Sequence, residues 1–160
     1  IVDLKRIPSA SHLTRIHPQT LTITVIAAVI SVSSPRTVHL RRQPGREMDI
    51  IEVLLGDETR AGFSVSFWLA PAESQQKPAD DLREHLLSLR AGDVVLVRNV
   101  ALRDWKSCVY GQSLSWRFAK NSTSVVVVGA GDGASLPRAI KGKAERVERW
   151  SWEFVGRREG

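Results

Sequence analysis

The sequence that decides the fold spans residues 92–128 and reads GDVVLVRNVALRDWKSCVYGQSLSWRFAKNSTSVVVV. It begins with an apolar run, continues through a polar segment that holds Trp105, Lys106 and Tyr110, and ends in four consecutive valines. Runs of β-branched residues on both sides of a polar segment are typical of strands joined by a hairpin. We therefore expect a small β-barrel in which this hairpin closes over a ligand.

The composition limits the class of protein. A chain of 160 residues forms one domain, or one domain with appendages. The net charge of +6 favours a polyanionic partner, which is a nucleic acid, an acidic protein or a lipid surface. Cys108 is the only cysteine, and the histidines are scattered, so we expect no disulfide framework, no metal site and no cofactor. Because the chain begins with Ile, we expect it to be part of a longer protein.

The chain outside this stretch adds three strands and a helix. Apolar and polar residues alternate at the start of residues 21–32 and in residues 63–69, and residues 48–55 are rich in Ile, Val and Leu, which predicts the first three strands. A helix follows from Pro78 and ends before Gly92, and the last two strands come from the opening stretch, the fifth over 122–128. The prediction is an all-β, five-stranded OB-fold Greek-key barrel with one helix between strands three and four, a fold that binds oligonucleotides.

Segments flank this barrel on both sides. We expect an N-terminal arm over residues 1–19, the OB-fold domain over 20–128, a Gly-rich linker over 129–137, and a C-terminal helix and tail over 138–160. The helix carries an apolar stripe that either packs back on the barrel or binds a protein partner. The residues of that stripe are Ile140, Ala144, Val147, Trp150 and Phe154.

Several motifs, in this order, resemble the single-stranded-DNA-binding OB domains of the replication protein A large-subunit family. LLGDET at 54–59 resembles the hydrophobic-x-Asp-x-Ser/Thr turn after the second strand, and VSFW at 65–68 resembles the end of the third strand with its aromatic. The hairpin and the Ser-rich fifth strand are matched by LRDW at 102–105, GQSLS at 111–115 and STSVVVV at 122–128. Telomere-end-binding proteins, meiotic paralogues and shieldin use similar domains. The resemblance implies a nuclear protein of DNA replication, repair or telomere maintenance.

The same resemblance assigns a binding site. Trp68 and Trp105 match the two aromatics that stack on bases, and Arg36 lies where a basic residue of the first loop contacts the strand. The pattern alone leaves Trp68 open, because it shares a strand face with Ser64 and Ser66 and could cap the core edge or form a stacking platform.

Cations surround these aromatics in the sequence. No acidic residue lies between Asp3 and Glu47, so we expect the arginines of the first loop to be unpaired and free to contact phosphates. The predicted backbone contacts are Arg36, Arg41, Arg42, Arg103 and Lys106. Hydrogen bonds to base edges are expected from Gln112, with Asn99 and Ser115, whereas Tyr110 and Trp116 are expected to pack in the hairpin and the core.

The expected function is non-enzymatic binding of single-stranded DNA, or of RNA, with weak sequence preference. Stacking is tolerant of sequence because every base has a π-face. No His, Cys and carboxylate recur at catalytic spacing, so we expect neither an enzyme nor a small-molecule substrate, and no apolar run is long enough to predict a membrane partner. The alternative is an OB-type protein-interaction module, in which a neighbouring domain covers Trp68 and Trp105.

Overall fold

The computed structural model describes residues 1–41, 45, 47–70, 77–114, 122–128 and 137–154. These residues form seven strands, three α-helices and one 3-10 turn. In chain order the elements are the 3-10 turn Leu4–Arg6, α1 (Ala10–Ile16), β1 (Thr22–Val32), β2 (Arg36–His39), β3 (Glu47–Asp57), β4 (Arg60–Leu69), α2 (Lys77–Ser88), β5 (Val94–Trp105), β6 (Cys108–Gln112), β7 (Ser124–Val127) and α3 (Arg138–Phe154).

Five of the strands pair in a closed circle. β1 pairs antiparallel with β3 and β5, β3 pairs with β4, and β5 pairs with β6. The circle closes where β4 and β6 run parallel. α2 lies between the third and fourth strands of this circle, as the sequence predicts, so the barrel has the strand order of an OB-fold.

Two further strands extend the barrel beyond the predicted five. β2 follows β1 after the interruption at Pro35 and pairs with the first residues of β3. β7 pairs with the first half of β5. The sequence assigns residues 122–128 to the fifth barrel strand, but β6, which the sequence places in the hairpin, closes the circle instead. The polar segment of the hairpin thus contains a strand that pairs on both sides.

The closure depends on Gly111, which lies opposite Val65 in the parallel pair. A Cβ atom at this position would lie 2.5 Å from Cγ1 of Val100 and 3.1 Å from Cγ2 of Val65. Since protein cores are close-packed, no side chain fits there. Ser113 extends the contact between β4 and β6, because its hydroxyl accepts a 2.8 Å hydrogen bond from the backbone N–H of Trp68.

Helical segments cover the two ends of the barrel. At the beginning of β3, Arg83 of α2 pairs with Asp49 at 2.9 Å, and Leu86 of α2 enters the core. At the end of β3, the N–H of Leu4 donates a 3.0 Å hydrogen bond to Asp57, and Leu4 and Leu13 join the same core. Residues 1–19 therefore carry a 3-10 turn and α1, which their weak periodicity does not predict.

α3 packs on the outward side of β1 and of the first half of β5, which we call the covered face. Of the two alternatives for its apolar stripe, the structure shows packing on the barrel for Ile140, Ala144, Val147 and Trp150. Trp150 lies directly over Gly56, where a Cβ atom would be 2.5 Å from its Cη2. The side chains that α3 covers are Ile26, Ala28, Val94, Leu96 and Val128.

A buried lysine joins three separate parts of the chain. Nζ of Lys143 in α3 donates 2.9 Å hydrogen bonds to Asp3 and to Asp57, and it also bonds Glu58. We call these four residues the Lys143 cluster. Asp57 is fully buried and also accepts hydrogen bonds from the N–H and hydroxyl of Thr59, at 2.8 and 2.6 Å. The cluster fixes α3 and the N-terminal segment to the turn between β3 and β4.

Burial and hydrogen bonding have opposite effects on the pKa values of this cluster. Burial alone would raise the pKa of Asp57, but hydrogen bonds from Thr59, Leu4 and Lys143 outweigh it and lower that pKa. The hydrogen bond from Lys143 likewise lowers the pKa of Asp3. Burial would lower the pKa of Lys143, but its three carboxylate partners raise it. Asp3, Asp57 and Lys143 are therefore more firmly charged than in the unfolded chain.

We predict that replacing Gly111 with Ala destabilises the protein by about 1–3 kcal/mol, because the added methyl group overpacks the site where the barrel closes. The matched control is Gly142→Ala in α3, where the nearest atom, Nη1 of Arg146, is 3.5 Å from the new Cβ. Removing a helical glycine there should stabilise the protein by about 0.5–1 kcal/mol. Urea unfolding of both variants measures the two effects, and equal effects would contradict the tight approach at Gly111.

We predict that Lys143→Met lowers the free energy of unfolding by about 3–5 kcal/mol, because it leaves Asp57 as a buried charge without its cation. Lys141→Met removes the same charge from an exposed position of the same helix and should have little effect. Denaturant unfolding at neutral pH measures both. A wild-type stability in Lys143→Met would show that the cluster is dispensable.

The effect of Lys143→Met should depend on pH. A lowered carboxylate pKa contributes stability that is present above about pH 4 and is lost as the pH falls through the folded-state pKa. A raised lysine pKa contributes stability that is lost only as the pH rises above the unfolded value of 10.5. The destabilisation by Lys143→Met should therefore be largest near neutral pH and smaller at acid pH, where protonation of Asp57 removes the buried charge that Lys143 compensates. Chemical unfolding of both proteins across this pH range measures the destabilisation. A destabilisation that does not change with pH would show that the charge of Asp57 is not what Lys143 compensates.

Candidate nucleic-acid interface

The outward side of β3, β4 and β6 differs from the covered face, and we call it the open face. On β4, Phe63, Val65, Phe67 and Leu69 point into the core, so the alternate residues point outward. The parallel register places Ser66 of β4 beside Gln112 of β6, and the antiparallel register places Glu52 of β3 on the other side of Ser66. The outward residues of the open face include polar side chains (Glu52, Ser64, Ser66 and Gln112), two aromatic ones (Trp68 and Tyr110) and two apolar ones (Ile50, which is buried, and Leu54).

The β5–β6 hairpin presents the most exposed aromatic of this surface. Trp105 is 66% exposed, and Nζ of Lys106 lies 5.5 Å from the centre of its ring. Only Lys106 and Ser107 connect the two strands, and both have positive φ angles, of 48° and 65°. Two such residues form the type of tight turn that matches the twist of a hairpin. The cation is held beside the ring at a distance typical of a cation–π contact.

Two hairpins project from opposite ends of the open face. Asp49, at the beginning of β3, lies opposite Leu69, at the end of β4, so the β2–β3 hairpin leaves the surface near Trp68. Ser66 and Gln112 are neighbours on parallel strands, so the tip of the β5–β6 hairpin lies beyond the beginning of β4. At about 3.3 Å per residue, Trp68 and Trp105 are roughly 20 Å apart along the surface. That distance accommodates several nucleotides of an extended strand.

Arg36 is not the free loop residue that the sequence predicts. Residues 36–39 form β2, and Nη2 of Arg36 makes a 3.1 Å ion pair with Oε1 of Glu52. The sequence prediction counts only acids near Arg36 along the chain, whereas the sheet brings Glu52 beside it. Arg41 is exposed at the turn after β2, and Arg42 lies outside the described residues.

The remaining predicted site residues are distributed over the hairpin and the sheet. Arg103 is exposed on β5 and donates a 3.4 Å hydrogen bond from Nη1 to Thr20. Gln112 is half-buried between Ser66 and Ala101. The carbonyl of Asn99, in contrast, accepts from Thr123 at the junction of β5 and β7, away from the open face. Ser115 and Trp116 lie outside the described residues.

Tyr110 is a candidate that the sequence reading assigns to hairpin packing. It is half-buried, lies directly opposite Arg103, and alternates with the inward-facing Gly111, so it shares the outward side with Gln112. The two-residue period from Gln112 back to Tyr110 is the signal that could have identified it. Tyr110 thus lies between Trp68 and Trp105 along the surface.

Other kinds of site receive no support from the parts of the chain that the structure describes. In those residues no group of three or more His, Cys, Asp or Glu side chains is placed to hold a metal ion. No helix among them is long and apolar enough to cross a membrane.

Solved structures of other proteins are similar to this chain, although no protein-family model and no curated protein sequence matches it. Fission yeast Pot1 with single-stranded DNA gives a TM-score of 0.55 at 11% identity, covering 86% of this chain and 45% of that chain. A Pot1 (protection of telomere)–single-stranded DNA complex gives a TM-score of 0.53 at 12% identity, and the match covers 87% of this chain and 80% of that chain. A replication protein A heterotrimer bound to single-stranded DNA gives a TM-score of 0.50 at 15% identity, and the match covers 86% of this chain and 26% of that chain.

These similarities define the fold. The chain is an OB-fold protein. Its motifs indicate a resemblance to the replication protein A group, and the similar structures confirm that resemblance at the level of the fold. The chain spans less than half of the fission yeast Pot1 chain and about a quarter of the replication protein A chain. The similarity extends beyond the barrel, because it covers 86–87% of the residues.

Proposed function

We propose that this chain binds single-stranded DNA across its open face without catalysing a reaction. The observation that carries the proposal is the hairpin, on which Trp105 is two-thirds exposed beside a lysine and at one end of the open face. Trp68 and Tyr110 supply further aromatic surface along the same face. Stacking on such side chains contributes about 1–3 kcal/mol per base.

The packing of the helices supports this choice of surface. α3 covers the opposite part of the barrel exterior, and α2 and the N-terminal segment cover the barrel ends. Arg41, Arg103 and Lys106 are exposed around the open face and supply positive charge for the phosphates. Arg36 contributes from within its ion pair with Glu52. Arg42, next to Arg41 in the sequence, is proposed as a further contact on the strength of the sequence alone.

The similar structures support the same ligand and a cellular role. The replication protein A and Pot1 structures of this fold contain single-stranded DNA. We therefore place the protein in the nucleus, in replication, repair or telomere maintenance. Because stacking is tolerant of sequence, the overall sequence preference is weak. An equivalent RNA strand is the competing ligand at this surface.

A protein-interaction module is the second candidate, and exposed aromatics on α3 favour it. Trp152 is 51% exposed, and Phe154, which stacks on Trp150, is 52% exposed. A partner protein would cover these rings instead of a nucleic acid. Polarisation titration with labelled oligothymidine and oligouridine at two salt concentrations separates the candidates. Binding that weakens steeply with salt supports a nucleic acid, and no binding at low salt supports a protein partner.

We predict that Trp105→Ala weakens binding to oligothymidine by about tenfold to a hundredfold, the loss expected from one stacked base. The melting temperature should change little, since the ring is mostly exposed. Trp152→Ala is the matched control, because it removes an exposed tryptophan from α3, on the other side of the barrel. The proposed surface would be wrong if the folded Trp105→Ala protein bound as tightly as the wild type, or if only Trp152→Ala reduced binding.

A further inference from the structure

Three polar side chains form a row across the middle of the open face. Glu52, Ser66 and Gln112 are direct neighbours on β3, β4 and β6. Adjacent strands lie about 4.8 Å apart, so the row spans roughly 10 Å. The Glu52 side chain is 45% exposed, so a ligand on the open face can reach it.

The position of Glu52 is unexpected on a surface that binds phosphates. A carboxylate at its centre repels the backbone of a nucleic acid, and stacking requires no carboxylate. Its ion pair with Arg36 joins two exposed side chains, and pairs of this kind contribute little to stability. The pair does hold the carboxylate in a defined place, because Arg36 approaches it from β2 and the Glu52 backbone N–H is bound by the Ser33 hydroxyl at 2.9 Å.

The row of Glu52, Ser66 and Gln112 lies next to Trp68. Trp68 is two residues from Ser66 on the same side of β4, a separation of about 7 Å. A base held against Trp68 therefore has one of its edges beside the row. Glu52 can only accept hydrogen bonds, whereas Ser66 and Gln112 can both donate and accept.

We propose that Glu52, with Ser66 and Gln112, reads the hydrogen-bonding edge of one base beside Trp68 and selects guanine. The inference rests on the proposed binding of single-stranded DNA and adds a local preference to it. Unpaired bases are read in this way on their Watson–Crick edges. Guanine presents two neighbouring N–H donors on that edge, which match the two oxygens of a carboxylate in a bidentate pair.

The other bases match the row less well. Adenine and cytosine present an amino group beside a ring nitrogen that accepts, and the ring nitrogen would face a carboxylate oxygen. Thymine presents one N–H between two carbonyl oxygens, which the carboxylate repels. Arg36 acts here as a positioning residue, because its guanidinium holds the Glu52 carboxylate rather than the base.

The test compares four oligonucleotides of about twelve nucleotides, within the range of OB-fold sites. One is oligothymidine, and the others carry a single guanine, adenine or cytosine at the centre, so that the protein can shift its register until that base occupies the site. We expect the wild-type chain to bind the guanine oligonucleotide about tenfold more tightly than oligothymidine, the ratio that one bidentate base contact gives. Glu52→Gln should abolish this ratio while oligothymidine binding is kept or slightly tightened.

Glu47→Gln is the matched control. Glu47 lies on the same strand, is similarly exposed, and pairs with His39 at 3.4 Å, so the variant removes the same charge away from the row. It should keep the guanine preference. Equal binding of all four oligonucleotides by the wild type, or a guanine preference that survives in Glu52→Gln, would overturn the inference and leave the proposed function in place. Failure of every oligonucleotide to bind would instead refute the proposed function, and the inference with it.

Discussion

The buried contact between Lys143 and Asp57 is the constraint on which the arrangement of the chain depends. Asp57 ends β3 and takes no part in the apolar core, yet it is fully buried because backbone and side-chain donors surround its carboxylate. Lys143 reaches it from α3, and Asp3 reaches Lys143 from the N-terminal segment. One charge therefore fixes both ends of the described chain to a single turn of the barrel.

This constraint also determines which part of the barrel exterior remains accessible. With Lys143 bound at Asp57, α3 lies along β1 and places Trp150 over Gly56. Glycine is needed there because any side chain would meet the indole. The apolar exterior of β1 and β5 is thus covered by the protein itself, whereas the exterior of β3, β4 and β6, which carries both polar and apolar side chains, is left for a ligand. The division between the covered and open faces follows from the placement of one helix.

The hairpin and the sheet were predictable to different degrees. Trp68 and Trp105 could be found from strand alternation and from motif order, because a period of two places successive side chains on opposite faces. The neighbours of Arg36 could not be found in this way. Glu52 lies sixteen residues further along the chain, and only the pairing of β2 with β3 brings the two side chains within 3.1 Å. The same pairing makes residues 36–39 a strand and not the predicted basic loop, and the arginine of this strand is paired with Glu52.

Local sequence by itself determined the positions of four of the five barrel strands, the helix before β5 and the acidic turn at Asp57, because alternation, helix-start residues and a hydrogen-bonding Asp–x–Thr turn all act within a few residues. Tertiary structure decided which strand closes the barrel, what Lys143 binds and which face α3 covers. These depend on close packing at Gly111 and on charges far apart in the chain. Lys143 looks like any surface lysine of an amphipathic helix until the fold brings three carboxylates to it, since burial of a charge is favourable only where partners replace the water.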